Sequence, residues 1–137
     1  MKRLVQIGMA FALSVFASGA QAQMTQEVHF EAGNYGTLVS GTITGNEYYD
    51  YLLGAGAGQE MFAEITVAET NGDGVIYFNI LPPGSDGEAI FIGSMETENY
   101  ARITLPEDGQ YTIRVYLMGN DEDSGKTVSY NLDLSIQ

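Results

Sequence analysis

The sequence predicts an all-β fold, a single antiparallel β-sandwich or flattened barrel of about eight or nine short strands. The first observation is a series of runs in which apolar and polar residues alternate, and a period of two is typical of half-buried strands. The second is a turn signal rich in glycine, asparagine or proline about every ten residues. The third is the lack of a helical period after residue 22. We therefore expect one β domain over residues 23–137.

The two longest alternating runs lie near the C-terminus. The polar segment between them contains three consecutive acids, Asp121, Glu122 and Asp123. We predict a hairpin of two strands with an acidic, solvent-exposed tip. The residues expected to face the core are Tyr111, Ile113, Val115 and Leu117 on the first strand, and Val128, Tyr130, Leu132, Leu134 and Ile136 on the second.

Tyr111 follows a turn that contains Pro106 and Gly109. A tyrosine at the start of a sandwich strand can hydrogen-bond back across the preceding turn, which is known as a tyrosine corner. It can equally be the first core residue of its strand. The sequence leaves both interpretations open, and both make Tyr111 a structural residue.

The earlier strands follow the same logic. We predict them at residues 27–31, 37–44, 48–53, 59–68, 75–81, 89–92 and 100–105, the last beginning at 97 in an alternative. Residues 71–74 predict a hairpin turn, because asparagine and glycine accept positive φ. Residues 54–58 predict a tight connector. The nearly continuous apolar run at 75–81 predicts a buried central strand. On the fourth strand, Met61, Ala63, Ile65 and Val67 are expected to share the core face.

The first 22 residues predict a secretory signal peptide rather than part of the fold. Lys2 and Arg3 precede a mostly apolar run at residues 4–16, and a small-x-small pattern ends at Ala22, before Gln23. The apolar run is too short for a stable membrane span. We expect cleavage near Ala22/Gln23 and a periplasmic protein, with full secretion as the alternative.

Charge is the strongest compositional signal. The chain has 18 acidic and five basic residues, a formal net charge of −13 that becomes −15 when Lys2 and Arg3 are removed. Nucleic acid and anionic membranes are poor partners for such a chain, because their binding starts from basic side chains. Long-range attraction favours a cationic protein partner. Solubility or a salty habitat would explain the same composition. The sequence does not decide between a monomer and a dimer.

The residues needed for most catalysis are missing from the sequence. Its single histidine, His29, is expected at the surface, and there is no cysteine. A serine hydrolase triad and a zinc site therefore have no candidate residues. The acidic turns at 71–73 and 121–123 offer oxygen ligands for calcium, but neither has the spacing of a calcium loop. We expect no enzyme activity, no cofactor and metal-free acidic turns.

Three tyrosines cluster at residues 48–51. On a strand, Tyr49 and Tyr51 share one face and Tyr48 lies on the other. One face must be core, and the other is available to present tyrosine to a partner.

Four segments carry a family resemblance. They are GxxYYDYxxxAxAGQ at 45–59, the buried strand that runs into PPG at 77–84, LPxDGxYxIRVY at 105–116 and YNLDLSI at 130–136. In this order they resemble the bacterial periplasmic inhibitors of g-type (goose-type) lysozyme, over nearly all of the chain after residue 22. Sandwich domains of the pre-peptidase C-terminal type share two of these segments. They suggest the alternative of a secreted accessory module that binds protein or carbohydrate without inhibiting anything.

The resemblance implies a small β-sandwich that inserts loops into the substrate groove of a lysozyme and so protects peptidoglycan. It places the inhibitory loops at the turn near Gly45 and Asn46 and in the segment after residue 118. The residues that it marks as partner-binding are Asn46, Tyr48, Gly119, Asn120, Asp121, Glu122 and Asp123.

The chain departs from the family in both of these loops. In the first turn it has Asn46 where the family commonly carries an aromatic residue. The inhibitors typically carry an RNxxR pattern directly after the strand, where this chain has Gly119 and Asp123 in place of the two arginines. An aspartate would be repelled by a catalytic carboxylate with which a guanidinium could pair. We expect the acidic loop to meet a basic rim of a lysozyme instead.

Overall fold

Nine strands in two packed sheets make up the computed structural model, which describes residues 23–137. The predicted signal peptide lies outside these residues. The strands are β1 (Gln23–Glu27), β2 (Gly36–Thr44), β3 (Tyr48–Ala55), β4 (Glu60–Thr70), β5 (Ile76–Leu81), β6 (Phe91–Ile92), β7 (Tyr100–Thr104), β8 (Gly109–Leu117) and β9 (Thr127–Ile136). The sandwich is the first of the two predicted architectures, and the strand count agrees with the prediction.

The first sheet has the order β1-β3-β8-β5-β6 and the second the order β2-β9-β4-β7. The β1–β3 pair is parallel, and every other pair of neighbours in these two sheets is antiparallel. Within residues 23–137, β5 and β6 are the only strands that both follow each other in sequence and pair. At all other connections between these strands the chain crosses from one sheet to the other.

This crossing corrects both predicted hairpins. The strands on either side of residues 71–74, β4 and β5, lie in different sheets, and so do β8 and β9. The predicted acidic tip is also not an open loop, because residues Gly119–Asp123 form the short helix α1. Alternation predicts which residues of a strand face the core, but a hairpin and a connection between sheets have the same pattern.

The predicted core faces of β8 and β9 are confirmed. All nine of their expected inward side chains are buried between the sheets. Val67 on β4 is the exception to the pattern, since it is 42% exposed. β7 pairs with β4 only as far as Glu64, and a bulge follows Val67, so this end of β4 extends beyond the core.

Several strand boundaries differ from the sequence expectation. The first strand spans Gln23–Glu27, where it pairs with β3, whereas the sequence predicts it at residues 27–31. This polar segment has no alternation from which a strand could be predicted. Val28 is still buried and donates its backbone N–H to Leu52 O at 2.8 Å. Gly54 and Ala55 belong to β3 rather than to a connector. β8, not β5, is the central strand of its sheet.

The start of β8 satisfies both interpretations of Tyr111. Its side chain is completely buried. Its hydroxyl donates to Glu107 O at 2.6 Å and accepts from Glu107 N at 3.1 Å. Tyr111 is therefore a core residue and a tyrosine corner.

Helix is a minor component of residues 23–137. It comprises α1 and a single 3-10 turn at Gly93–Met95, neither of which the sequence pattern predicted. No helix in this range has the length and apolarity needed to cross a membrane.

Candidate functional site

Three connections meet at one end of the sandwich, which we call the loop end. They are residues 45–47 between β2 and β3, residues 71–75 between β4 and β5, and residues 118–126 around α1. Gly45 N donates to Lys126 O at 2.9 Å, and Asn71 Oδ1 accepts from Thr127 N at 2.9 Å. Hydrogen bonds thus tie the first connection to the segment that contains α1 and the second connection to the start of β9.

Asp121 on α1 anchors the second connection. Its carboxylate accepts from Asp73 N at 2.9 Å through Oδ1 and from Val75 N at 2.8 Å through Oδ2. These two backbone hydrogen bonds lower the pKa of Asp121. The residue is completely buried, so its predicted exposure is wrong. Its carboxylate holds the loops together and does not face a partner.

Two glycines allow the three connections to approach so closely. Gly45 has φ +60°, and a Cβ there would lie 3.3 Å from Gly125 Cα. A Cβ at Gly72 would collide with Asp121 Oδ1 and with the Lys126 side chain. Larger residues at these positions would force the loops apart.

A groove runs between the first connection and α1. Tyr48 and Tyr116 occupy paired positions on β3 and β8 and contribute aromatic surface, and Met118 beside them is 39% exposed. The groove is lined by Asn46, Glu47, Tyr48, Arg114, Tyr116, Leu117, Met118 and Glu122. An adjoining depression is lined by Thr44, Gly45, Asn46, Glu122, Asp123 and Gly125. The loop end therefore combines apolar and aromatic surface with carboxylates.

Arg114 supports one wall of the groove. Its Nε donates to Asp50 Oδ1 at 2.8 Å and its Nη2 to Asp50 Oδ2 at 2.9 Å. The guanidinium carbon lies 4.6 Å from the centre of the Tyr48 ring, within the range of a cation–π contact. The hydrogen bonds to Asp50 raise the pKa of Arg114, so it stays charged. Its positive charge is matched by Asp50, which is 3% exposed.

The net charge that remains at the loop end is negative, because Lys126 is outnumbered by Glu47, Asp73, Glu122 and Asp123. Glu122 and Asp123 are exposed on α1. Glu47 is half-buried and accepts a hydrogen bond from Thr44 N at 2.8 Å. Such an arrangement suits a cationic protein surface and gives long-range attraction that falls with added salt.

The structure brings most of the predicted site residues together. Asn46, Tyr48 and Glu122 line the groove, and Asp123 lies in the depression next to it. Gly119 and Asn120 are exposed at the start of α1, where Asn120 Oδ1 accepts from Ser124 Oγ at 2.8 Å. Asp121 is the one predicted site residue that is buried.

Sequence reasoning missed Glu47, Arg114, Tyr116 and Met118 as groove residues. Arg114 and Tyr116 alternate with the core residues of β8, which placed them on the outer face. Their position beside Tyr48 follows from the pairing of β8 with β3. A strand partner cannot be deduced from periodicity, so this part of the groove was not predictable.

The other candidate groups lie elsewhere or are structural. The His29 side chain is 81% exposed and lies 3.4 Å from Glu27. Tyr51 is buried and its ring stacks on Tyr49 at a centroid distance of 4.5 Å, as expected of a shared inner face. Within residues 23–137, no three His, Cys, Asp or Glu side chains are grouped to hold a metal ion.

Proteins similar to this chain include inhibitors of g-type lysozyme from two bacteria. An Escherichia coli K12 protein described as an inhibitor of g-type lysozyme is 29% identical over 122 residues, which are 89% of this chain and 85% of the relative. The crystal structure of an Aeromonas hydrophila periplasmic inhibitor of g-type lysozyme has a TM-score of 0.77 and 31% identity, covering 86% of this chain and 100% of that chain.

A third likeness concerns the fold alone. The pre-peptidase C-terminal domain of a Bacillus anthracis collagenase has a TM-score of 0.55 at 13% identity, covering 88% of this chain and 100% of that domain. No protein-family model matches the sequence.

Proposed function

The chain belongs to the family of periplasmic inhibitors of g-type lysozyme, and from this premise we propose that it binds a g-type lysozyme and blocks the enzyme's peptidoglycan-binding groove with its loop end. It acts by binding alone, without catalysis or a cofactor. Residues 1–22 serve as the signal peptide, cleavage falls near Ala22/Gln23, and the sandwich of residues 23–137 works in the periplasm.

One observation carries the assignment of the site. Asn46 and Glu122, which are 76 positions apart in the sequence, line the same groove. The family resemblance marks both of their loops. The hydrogen bond from Gly45 to Lys126 and the two accepted by Asp121 hold these loops in place before any partner arrives. A preorganised site loses less entropy on binding than a flexible one.

The chemistry of the contact is acidic in this chain. Glu122 and Asp123 point to a basic rim on the lysozyme, while Met118 and Tyr48 supply the apolar area that interface centres use. The two positions at which the family has arginine, Gly119 and Asp123, carry no positive charge here. The acidic loop would raise the association rate and the specificity, and the apolar centre would supply most of the affinity.

Charge reversal at α1 tests the assignment of the site. Asp123→Arg should weaken inhibition of a g-type lysozyme about tenfold, through loss of attraction at the rim. Glu88→Arg makes the same change in net charge at an exposed position beyond the far end of β5, and it should leave inhibition unchanged.

Either direction of change at Asp123 would be informative. Weaker inhibition supports an acidic contact. Stronger inhibition supports the same loop but an arginine contact like that of the family. Equal inhibition by Asp123→Arg, Glu88→Arg and the unaltered protein would remove α1 from the site.

A further inference from the structure

The edge of the second sheet formed by β2 is open and lacks the usual protection. β2 pairs on one side with β9 in an unbroken register of nine residues, and it is the first strand in the order of its sheet. Sheet edges are normally guarded by charges, proline, bulges or short strands. β2 has no charged residue and no proline, and Leu38 on it is 63% exposed. The opposite edge strand, β7, has five residues and carries Arg102.

The hydrogen bonds at the two ends of β2 show which of its residues face outward. Ile136 N donates to Tyr35 O at 2.9 Å, and Gly45 N donates to Lys126 O at 2.9 Å. Hydrogen-bonded pairs alternate along an antiparallel ladder, so the odd-numbered residues of β2 bond to β9. The even-numbered residues point their N–H and C=O groups away from the sheet. The N–H of Thr44 is already taken by Glu47 Oε1 at 2.8 Å. The outward groups that remain are those of Gly36, Leu38, Ser40 and Thr42.

The groups of Leu38, Ser40 and Thr42 are arranged symmetrically about Ser40, whereas the counterpart of Gly36 is Thr44, whose N–H is taken. We propose that β2 pairs antiparallel with β2 of a second copy of this chain, about a two-fold axis at Ser40. Ser40 then faces Ser40 of the second copy, and Leu38 faces Thr42. Leu38, Ser40 and Thr42 are even-numbered, so their N–H and C=O groups point outward and can form hydrogen-bonded pairs. Three such pairs give about six intermolecular backbone hydrogen bonds. The two four-stranded sheets would join into one continuous sheet.

The lack of charge on β2 makes this edge a place where a second copy can approach. The chain has a formal net charge of −13, so two copies repel over most of their surfaces. The outward side chains of Leu38, Ser40 and Thr42 are uncharged, and no like charges would face each other across the new pair. The exposed Leu38 side chain would be covered by the second copy.

The proposed dimer keeps its two loop ends apart, and each lies next to residues 34–35 of the other copy. Gly45 and Asn46 directly follow β2, and antiparallel pairing sends the two copies of this turn to opposite ends of the dimer. The inference does not depend on the proposed function, because it concerns the protein without any lysozyme.

Sedimentation of the protein, expressed from its full sequence, measures the self-association. We expect a monomer–dimer equilibrium that strengthens with salt, because salt screens the repulsion between acidic copies. Ser40→Pro removes an N–H that points to the open edge and does not bond to β9, so the variant should fold. Its dimer dissociation constant should be about tenfold higher or more. Ser40→Ala, the matched control, loses the same hydroxyl contact with Asn131 but keeps the N–H, and should still dimerise. A monomer at every concentration and salt level, or equal behaviour of Ser40→Pro and Ser40→Ala, would overturn the proposal.

A single cysteine tests the register without requiring a stable dimer. The natural chain has no cysteine. Hydrogen-bonded antiparallel pairs have Cα atoms about 5.5 Å apart, within the range that a disulfide spans. Ser40→Cys should therefore form a covalent dimer with oxidised glutathione. Thr66→Cys lies on the same outer face but on the interior strand β4 and should remain monomeric. Equal cross-linking of the two variants would contradict the two-fold axis at Ser40.

Discussion

Asp121 shows that an acidic residue in a polar run can be buried and structural. It stands between Asn120 and Glu122 in a polar run, and composition alone predicts an exposed acid. Its carboxylate instead accepts hydrogen bonds from two backbone N–H groups in another connection, those of Asp73 and Val75. The partners lie 48 and 46 positions away in sequence. No local pattern could reveal them.

Asp121→Asn should lower the melting temperature by several degrees at neutral pH. An asparagine offers one oxygen where the two N–H groups need two, and its NH₂ would face a donor. Because the pKa of Asp121 is lowered on folding, its contribution is present above the unfolded pKa of about 4 and is lost as the pH falls through the folded value. Thermal melts over this range should show that the melting temperatures of Asp121→Asn and the unaltered protein become equal in acid. Asp123→Asn, at an exposed position of the same helix, should melt like the unaltered protein at every pH.

Tyr111→Phe isolates the tyrosine corner. It keeps the buried ring and removes the hydroxyl that bonds to the Glu107 N–H and C=O groups. We expect a loss of about 1–3 kcal/mol in the free energy of unfolding, measured by urea denaturation. Tyr35→Phe removes a hydroxyl from a side chain that is 69% exposed, and should change stability by less than about 0.5 kcal/mol. Similar losses in both variants would mean that the corner contributes nothing.

At the scale of elements, strands were largely predictable and their partners were not. β8 and β9 were located by alternation, and their inward faces are as expected. The pairing of β8 with β3 and of β9 with β2 depends on long-range packing that periodicity does not encode. β1 escaped prediction because its sequence, QMTQE, has no apolar face. α1 has five residues, which is too short for a helical period to appear.

The Arg114–Asp50 pair joins β8 to β3 and can be tested by a double-mutant cycle. Arg114→Met should cost about 3 kcal/mol of stability, because it leaves the buried Asp50 carboxylate without its guanidinium. Arg114→Met combined with Asp50→Leu replaces the pair by apolar groups and should cost less than the single variant. Urea denaturation of the three proteins gives the coupling energy. A double variant that is less stable than Arg114→Met would contradict this account.

Across the whole molecule, a tyrosine pair connects the two sheets. Tyr51 on β3 and Tyr130 on β9 are both buried, and their hydroxyl oxygens lie 2.7 Å apart. Burial raises the pKa of Tyr51 to about 12 and the pKa of Tyr130 in the same direction. Ionising either hydroxyl therefore costs more free energy in the folded protein than in the unfolded chain.

This pair predicts the stability of the protein in alkali. A tyrosine in the unfolded chain ionises near pH 10, whereas folded Tyr51 holds its proton to about pH 12. The stabilisation is therefore complete below pH 10 and is lost as the pH rises from there towards 12. Denaturant midpoints should fall over this interval, and Tyr51→Phe should show a smaller fall. An equal fall in the two proteins would assign the alkaline instability to other groups.

Function at this scale follows from two loops that the fold brings together and from a surface that is acidic around them. The sequence resemblance marked the loops, and the sandwich explains why Asn46 and Glu122 meet. Arg114 and Tyr116 became visible as groove residues only when β8 was paired with β3. The excess of acidic residues favours a basic partner, and the members of the family inhibit g-type lysozyme.

Inhibition of peptidoglycan lysis by g-type lysozyme is the most direct test of the central claim. The protein would be titrated into g-type and c-type (chicken-type) lysozymes at low and physiological salt. We predict saturable inhibition of the g-type enzyme, stronger at low salt because the acidic loop end attracts a basic partner. Inhibition of the c-type enzyme alone would mean that the loops have a different target. No inhibition of either enzyme at any salt concentration would contradict the account.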